Sequence, residues 1–332
     1  MTRPEIDLST LALPDAVEQL DYEAILAEAK ATLLALAPEL ADVLALESEP
    51  LVKLLQTDAF RELVMRGRAN DSVRAVMLPL STGTDLDQLV ALLGVQRQTV
   101  VEADPDANPP VLAVYEDDAA LRRRAQLSWE GMTVAGTVGA YQFHALSADG
   151  RIRDVAVSRP QPGVVQVTIL SHEDEGAPSA ELIDAVDAAL EDIRPLCDDV
   201  RVVAPSFTDF EITAALTMPG GPGADIVLAA ARDAVATYVQ DELAVGRIVR
   251  HGALLARLYQ TGVDRVVMTA PLADIDPGRT GVARASSITI EVVKRTGANL
   301  IETVDGVKLA MGEIRKNWSA NVQVSFTQDK SK

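Results

Sequence analysis

The chain has 332 residues, 48% of them apolar and only 4% aromatic, with 49 Asp and Glu against 30 Lys and Arg for a net charge of −19. That charge argues against a protein that coats DNA or RNA through a basic face, and it disfavours adsorption to anionic membranes. The length suits roughly two domains of about 100–200 residues each, and a single cysteine, Cys197, excludes an intrachain disulfide framework or a Cys-rich zinc module.

The N-terminus carries no signal-peptide core, and no apolar run reaches the roughly 18 residues of a membrane span. Synthesis in a reducing cytoplasm is therefore expected. The first element is a helix opening at Pro14-Asp15, with Asp15 as cap and Glu18 at capping-box distance. Val17, Leu20, Ala24, Ala27, Ala31 and Leu34 follow at 3-4-3-4-3 spacing. This heptad-like seam presents a narrow apolar stripe to a partner helix, and Pro38 ends the helix. The stripe fits an intramolecular helical hairpin as well as an intermolecular bundle.

A second helix is expected from Pro50 to about Met77, and a short one capped by Asp85 that stops at Gly94. The Pro/Asp/Asn-rich run 102–110 reads as a linker. Helices are expected over 117–129 and 137–146, then strands at 155–157 and 164–170 joined by a turn at Pro162-Gly163. A helix over 178–193, strands at 200–204 and 207–217, and a sharp loop at 218–223 come next. Helices over 225–243 and 250–259 and strands at 263–269 and 288–293 complete the pattern. The order ββα-ββαα-ββ differs from the regular alternation of a doubly wound nucleotide fold.

The expected fold is thus multi-domain α+β: long, bundle-forming N-terminal helices, then small mixed or antiparallel α+β domains. The expected divisions are a helical region 1–101, α+β domains 102–205 and 206–294, and a C-terminal extension 295–332 of no assigned role. Acid is concentrated in places. Residues 1–49 hold eleven acids against two bases, residues 102–120 six against none, and residues 171–192 eight against none.

Catalytic patterns are scarce. His144, His172 and His251 lie far apart, and no H-E-x-x-H, C-x-x-C or G-x-S-x-G occurs. His144 reads as a hydrogen-bonded helix residue. His172, among Glu173, Asp174 and Glu175, reads as a solvated hairpin end rather than a calcium loop. Cys197 beside Asp198 and Asp199 is a poor nucleophile, because neighbouring carboxylates disfavour the thiolate. Gly136-Thr-Val-Gly139 reads as a helix-entry turn, and Gly220-Gly-Pro-Gly223 lacks the Lys of a phosphate loop. Arg122-Arg123-Arg124 follows Glu116-Asp117-Asp118, and ion pairing at i, i+3 and i+4 is the plain reading. No catalytic residue, metal ligand or cofactor site is expected. A soluble enzyme with a cleft between the two α+β domains, using His144 or His251, or an assembly chaperone that leaves its particle, are the competing classes.

Ala140-Tyr-Gln-Phe-His-Ala-Leu-Ser-Ala-Asp-Gly150, followed by Arg151-Ile-Arg-Asp-Val-Ala-Val157, resembles the baseplate assembly protein J family of contractile-tailed phages. The resemblance continues through Pro162-Gly163 and Val167-Thr-Ile-Leu-Ser171 to Val200. Leu20-Asp-Tyr-Glu-Ala-Ile-Leu26, Phe60-Arg-Glu-Leu-Val64 and Gly83-Thr-Asp-Leu-Asp-Gln-Leu89 with Gly94-Val95 resemble it upstream, and Gly262-Val-Asp-Arg-Val266 with Pro271 downstream. Two features depart from the family pattern. Cys197 stands where a hydroxyl residue is more usual, and the chain from about 295 has no counterpart.

The resemblance implies a non-enzymatic wedge protein of the virion tail baseplate, including the baseplates of phage-derived bacteriocins. In this family two copies join one smaller co-encoded wedge protein through a bundle of N-terminal helices. The C-terminal domains contact neighbouring wedges to ring the central hub and spike. The sheath initiator is a further expected partner, and a change in ring shape is passed to the sheath. Val17, Leu20, Ala24, Ala27, Ala31 and Leu34 are then the candidate bundle interface.

Overall fold

The computed structural model describes residues 6–133, 136–218 and 224–294. The sharp loop expected at 218–223 lies almost wholly outside the described residues, and the extension 295–332 lies outside them altogether. The chain divides into two compact units, Met1–Ala204 and Pro205–Lys332.

The first unit opens with α1 (Tyr22–Leu36), α2 (Ala41–Leu44) and α3 (Pro50–Ala75). The start of α1 corrects the sequence expectation by about six residues. Asp21, not Asp15, is the cap, and its Oδ1 accepts from the amides of Glu23 and Ala24 at 2.9 and 3.2 Å. Asn70 on α3 is the physical reason. Its Oδ1 accepts from the Glu18 amide at 3.0 Å and its Nδ2 donates to the Glu18 carbonyl at 2.8 Å. With both backbone groups of Glu18 committed to a buried side chain, the segment cannot run on as helix. The Glu18 carboxylate, expected to close a capping box, instead pairs with Arg66 at 3.3 Å. Helices α1 and α3 pack as a hairpin through Ile25, Leu26 and Ala59, flanked by Tyr22, Leu55 and Leu63. Pro38 follows the end of α1 as expected, and Pro50 occupies the first turn of α3.

Helix α4 (Gly83–Ala91) shares a small core with α5 (Asp118–Gly131): Leu86, Val90 and Val95 meet Leu121 and Ala125. Between them, the Pro-rich run expected as a linker is folded into an antiparallel hairpin of β1 (Thr99–Val101) and β2 (Val114–Tyr115). A further backbone bridge joins Asp104 to Val111. Both strands are too short to give an alternating signal over four or more residues.

Helix α6 (Val138–Ala148), β3 (Ile152–Gln161), β4 (Val164–Ser171), α7 (Ala180–Glu191) and β5 (Asp199–Val203) complete the unit. The sheet runs β3-β4-β5, antiparallel then parallel. Gln161 pairs with Val164 around Pro162-Gly163, where Gly163 takes φ +83, a position suited to Gly after a Pro. Val167 and Ile169 of β4 meet Leu182, Val186 and Leu190 of α7 and Tyr141 and Ala145 of α6. Gly136, at φ +65, precedes the α6 cap Thr137, whose hydroxyl accepts from the Ala140 amide at 3.2 Å. This is the helix-entry turn expected there.

The second unit has a sheet of order β7-β6-β8, with β6 (Ser206–Met218), β7 (Arg265–Ala270) and β8 (Gly281–Lys294). Strand β6 is antiparallel to β7 and parallel to β8. Its buried residues Phe210, Ile212, Ala214, Leu216 and Met218 alternate with more exposed ones, the period of a half-buried strand. They pack on Ala231 and Val235 of α8 (Ala224–Asp241) and Leu254 and Leu258 of α9 (His251–Leu258). Strand β8 starts seven residues before its expected beginning at Ile288. Its small and polar start, Gly281 to Ser287, is a strand because it is hydrogen-bonded along β6 from Ser206 onward. The expected multi-domain α+β fold, with mixed sheets, is the one observed.

Candidate interaction surfaces

Each histidine has its own surroundings within its unit. His144 on α6 places Nε2 3.0 Å from the Gly131 carbonyl oxygen and its ring edge-on to Phe143. His172 is exposed at the end of β4, and His251, in the other unit, opens α9 with its amide donating 2.9 Å to Asp274. Cys197 is exposed. Among the described residues, no group of three or more His, Cys, Asp or Glu could hold a metal ion, and no helix is long and apolar enough to cross a membrane.

The candidate stripe splits into two parts. Val17 and Leu20 precede α1, and they line a shallow groove with Gly67, Asn70 and Arg74 of α3. Ala24, Ala27, Ala31 and Leu34 lie on α1 at 3-4-3 spacing, so they share one face. Ala24, Ala27 and Ala31 are exposed and Leu34 is half-buried. The hairpin with α3 uses the neighbouring Ile25 and Leu26 instead. Helix α3 also exposes Leu54 (65%), Phe60 (58%) and Met65 (71%). The helical pair therefore carries apolar side chains beyond its own internal seam.

Beyond the i, i+4 attraction of Arg122 for Asp118, the Arg122-Arg123-Arg124 run reaches partners distant in sequence. Consecutive helical residues point about 100° apart, and each arginine holds a different part of the unit. Arg122 donates to the carbonyls of Leu78 and Ser81 at 3.0 and 2.7 Å. Arg123 reaches Asp154 of β3 at 2.7 Å. Arg124, buried, donates to Glu116 Oε1 and Oε2 at 2.8 and 2.6 Å and to the Gln96 carbonyl at 2.6 Å. Glu116 in turn accepts from the Gln98 amide at 3.2 Å.

Arg97 adds a second tie, to Asp87 at 2.8 Å, Asp118 at 2.7 Å and the Glu116 carbonyl at 2.6 Å. The Arg97 hydrogen bond holds the Asp118 carboxyl below its ordinary pKa. These bonds fix α4, the base of the β1–β2 hairpin, α5 and β3 against one another. The arginines are thus internal fasteners, and the splay of three consecutive helical residues was the sequence signal for it.

Comparison with known proteins bears on the surfaces rather than on any chemical centre. Family models described as the Baseplate J-like N-terminal domain, central domain and protein C-terminal domain match residues 47–104, 133–204 and 210–291 in that order. Baseplate protein J of Escherichia phage P2 is 46% identical over 279 residues, which cover 82% of this chain and 92% of that protein. A chain from the cryo-EM structure of the anti-feeding prophage baseplate aligns with a TM-score of 0.39 and 16% identity, over 53% of this chain and 44% of that one. An ordered match to all three domain models, together with a relative of nearly the same extent at 46% identity, shows that this chain belongs to the baseplate J-like family.

Proposed function

We propose that the chain is a structural subunit of a contractile-tail baseplate wedge, held in the virion by protein–protein contacts. Membership of the baseplate J-like family supplies the structural role and the tail location. In this reading the N-terminal helices join a second copy of the chain and a smaller co-encoded wedge protein in a bundle. The later domains meet neighbouring wedges in a ring around the hub and spike, next to the sheath initiator, and the ring passes its change of shape to the sheath. The protein works by binding and carries out no reaction of its own.

The observation that carries the bundle assignment is the exposed face Ala24, Ala27 and Ala31 on a helix whose other face is already packed. Small side chains let helix axes approach closely, and an apolar seam of this width is what a partner helix covers. The acid in residues 1–49 serves as a solvated outer surface or as a match to basic neighbours. Co-expression with the smaller wedge protein is expected to give a stable heteromeric complex by size exclusion, and removal of residues 1–45 is expected to abolish it. A truncated chain that still assembles at wild-type yield would contradict the bundle.

A further inference from the structure

The β1–β2 hairpin is an arm with a fixed root and an unpacked blade. The root is immobilised by Arg97 and Arg124 on the Glu116 carbonyl and carboxylate. The Gln98 amide side chain donates to the Ser147 carbonyl at 2.9 Å, and Gly150 lies so close to the Thr99 carbonyl that a Cβ there would collide with it. The tip is ordered locally. Asp104 Oδ1 accepts from the Asp106 and Ala107 amides at 3.0 and 3.1 Å, and Asp104 and Val111 exchange backbone hydrogen bonds.

The apolar side chains between root and tip reach no core. Leu112 is 82% exposed and Tyr115 60%, with Val101, Val111 and Val114 also exposed. A two-stranded ribbon is marginal by itself in water, and exposed apolar clusters of this kind mark interaction sites.

Charge selects the occupant. Residues 102–115 carry Glu102, Asp104 and Asp106 and no Lys or Arg, and all three acids are exposed. A second copy of the chain, at net −19, is a poor match for an acidic arm, because like fields repel on approach. A groove with apolar walls and a Lys/Arg rim complements it on both counts.

We propose that the β1–β2 arm docks into an apolar, basic-rimmed groove on a different protein chain of the particle. The inference rests on the baseplate reading, and it adds a contact that does not involve the helical bundle. Its test uses purified particles containing the full chain with photoreactive benzoylphenylalanine at position 112. Cross-linked peptides from one other chain, at sites flanked by Lys or Arg, are expected. In parallel, L112D/Y115D and E102K/D106K are each expected to lower particle yield at least tenfold, while the thermal unfolding of the isolated chain stays within a few degrees of wild type. Links only to a second copy, no links in particles that contain the chain, or wild-type yield from both variants would overturn the arm alone. Absence of the chain from the particles would overturn the arm and the baseplate reading together.

Discussion

Arg124→Met is expected to lower the melting temperature of the first unit by roughly 10 °C. Removing one partner of a buried ion pair typically costs about 3–5 kcal/mol, because the remaining charge is left unpaired away from water. For a unit of this size each kcal/mol corresponds to roughly 2–4 °C. Glu116 is buried, and Arg124 supplies two of its hydrogen bonds at 2.8 and 2.6 Å. The Gln98 amide alone would remain on the carboxylate.

The double variant Arg124→Met with Glu116→Leu removes both charges and is expected to recover more than half of the loss. It will not recover all of it, since the Gln98 amide and the Gln96 carbonyl lose their partners in part-buried positions, at less than the roughly 1–3 kcal/mol of a fully buried group. Differential scanning calorimetry of the three proteins separates the cases. A single variant within about 2 °C of wild type would mean that water reaches Glu116 and that the fastening is looser than described.

Ala27→Glu with Ala31→Glu is expected to do the reverse, leaving the isolated chain intact while destroying assembly. Both positions are exposed on α1, and Glu is nearly as good a helix former as Ala. The new like-charge i, i+4 neighbours, with Glu23 and with each other, cost about 0.2–0.5 kcal/mol each, so stability should fall by no more than about 2 kcal/mol. In a packed bundle the same two carboxylates would sit without partners in the seam. A penalty of about 3 kcal/mol already weakens association by more than 100-fold. Titration of the co-expressed partner by calorimetry or light scattering reads this directly. Unchanged affinity would place the α1 stripe in solvent and move the bundle interface to another face, with Leu54, Phe60 and Met65 of α3 the next to examine.

Much of this molecule was legible before its structure, and the exceptions share a cause. Strand Ser206–Met218 and helix Ala180–Glu191 announced themselves because each buries one regular face, so burial writes a period of two or 3.6 into the sequence, whereas Val164–Ser171, buried on both faces over its last five residues, was legible as a short β-branched apolar run. Where long-range partners decide the conformation, the local pattern misled. Asp15 and Glu18 form a plausible capping box, but Asn70, 52 residues beyond Glu18, holds that backbone out of helix. Gly281 to Ser287 has the composition of a loop and is a strand only through β6.

The Pro-rich run 102–110 carries turn chemistry, which a linker and a hairpin tip share. Its strand character lies in short flanks, and the bridge between Asp104 and Val111 closes it. The candidate stripe was half legible. The 3-4-3 spacing of Ala24, Ala27, Ala31 and Leu34 does define one face of α1, whereas Val17 and Leu20 matched the same count without belonging to the helix. Recognition of the family drew on residues spread along both units, which is why it survived these local displacements.

The proposed wedge role requires this chain to remain in the mature particle. A high-resolution cryo-EM map of purified particles tests it most directly. Two copies of this chain for each copy of the smaller wedge protein are expected, with the N-terminal helices of both in one bundle and the Ala24, Ala27 and Ala31 face at its seam. Mature particles that lack the chain, with the chain present only in assembly intermediates, would contradict it and identify a factor that leaves before the tail is complete.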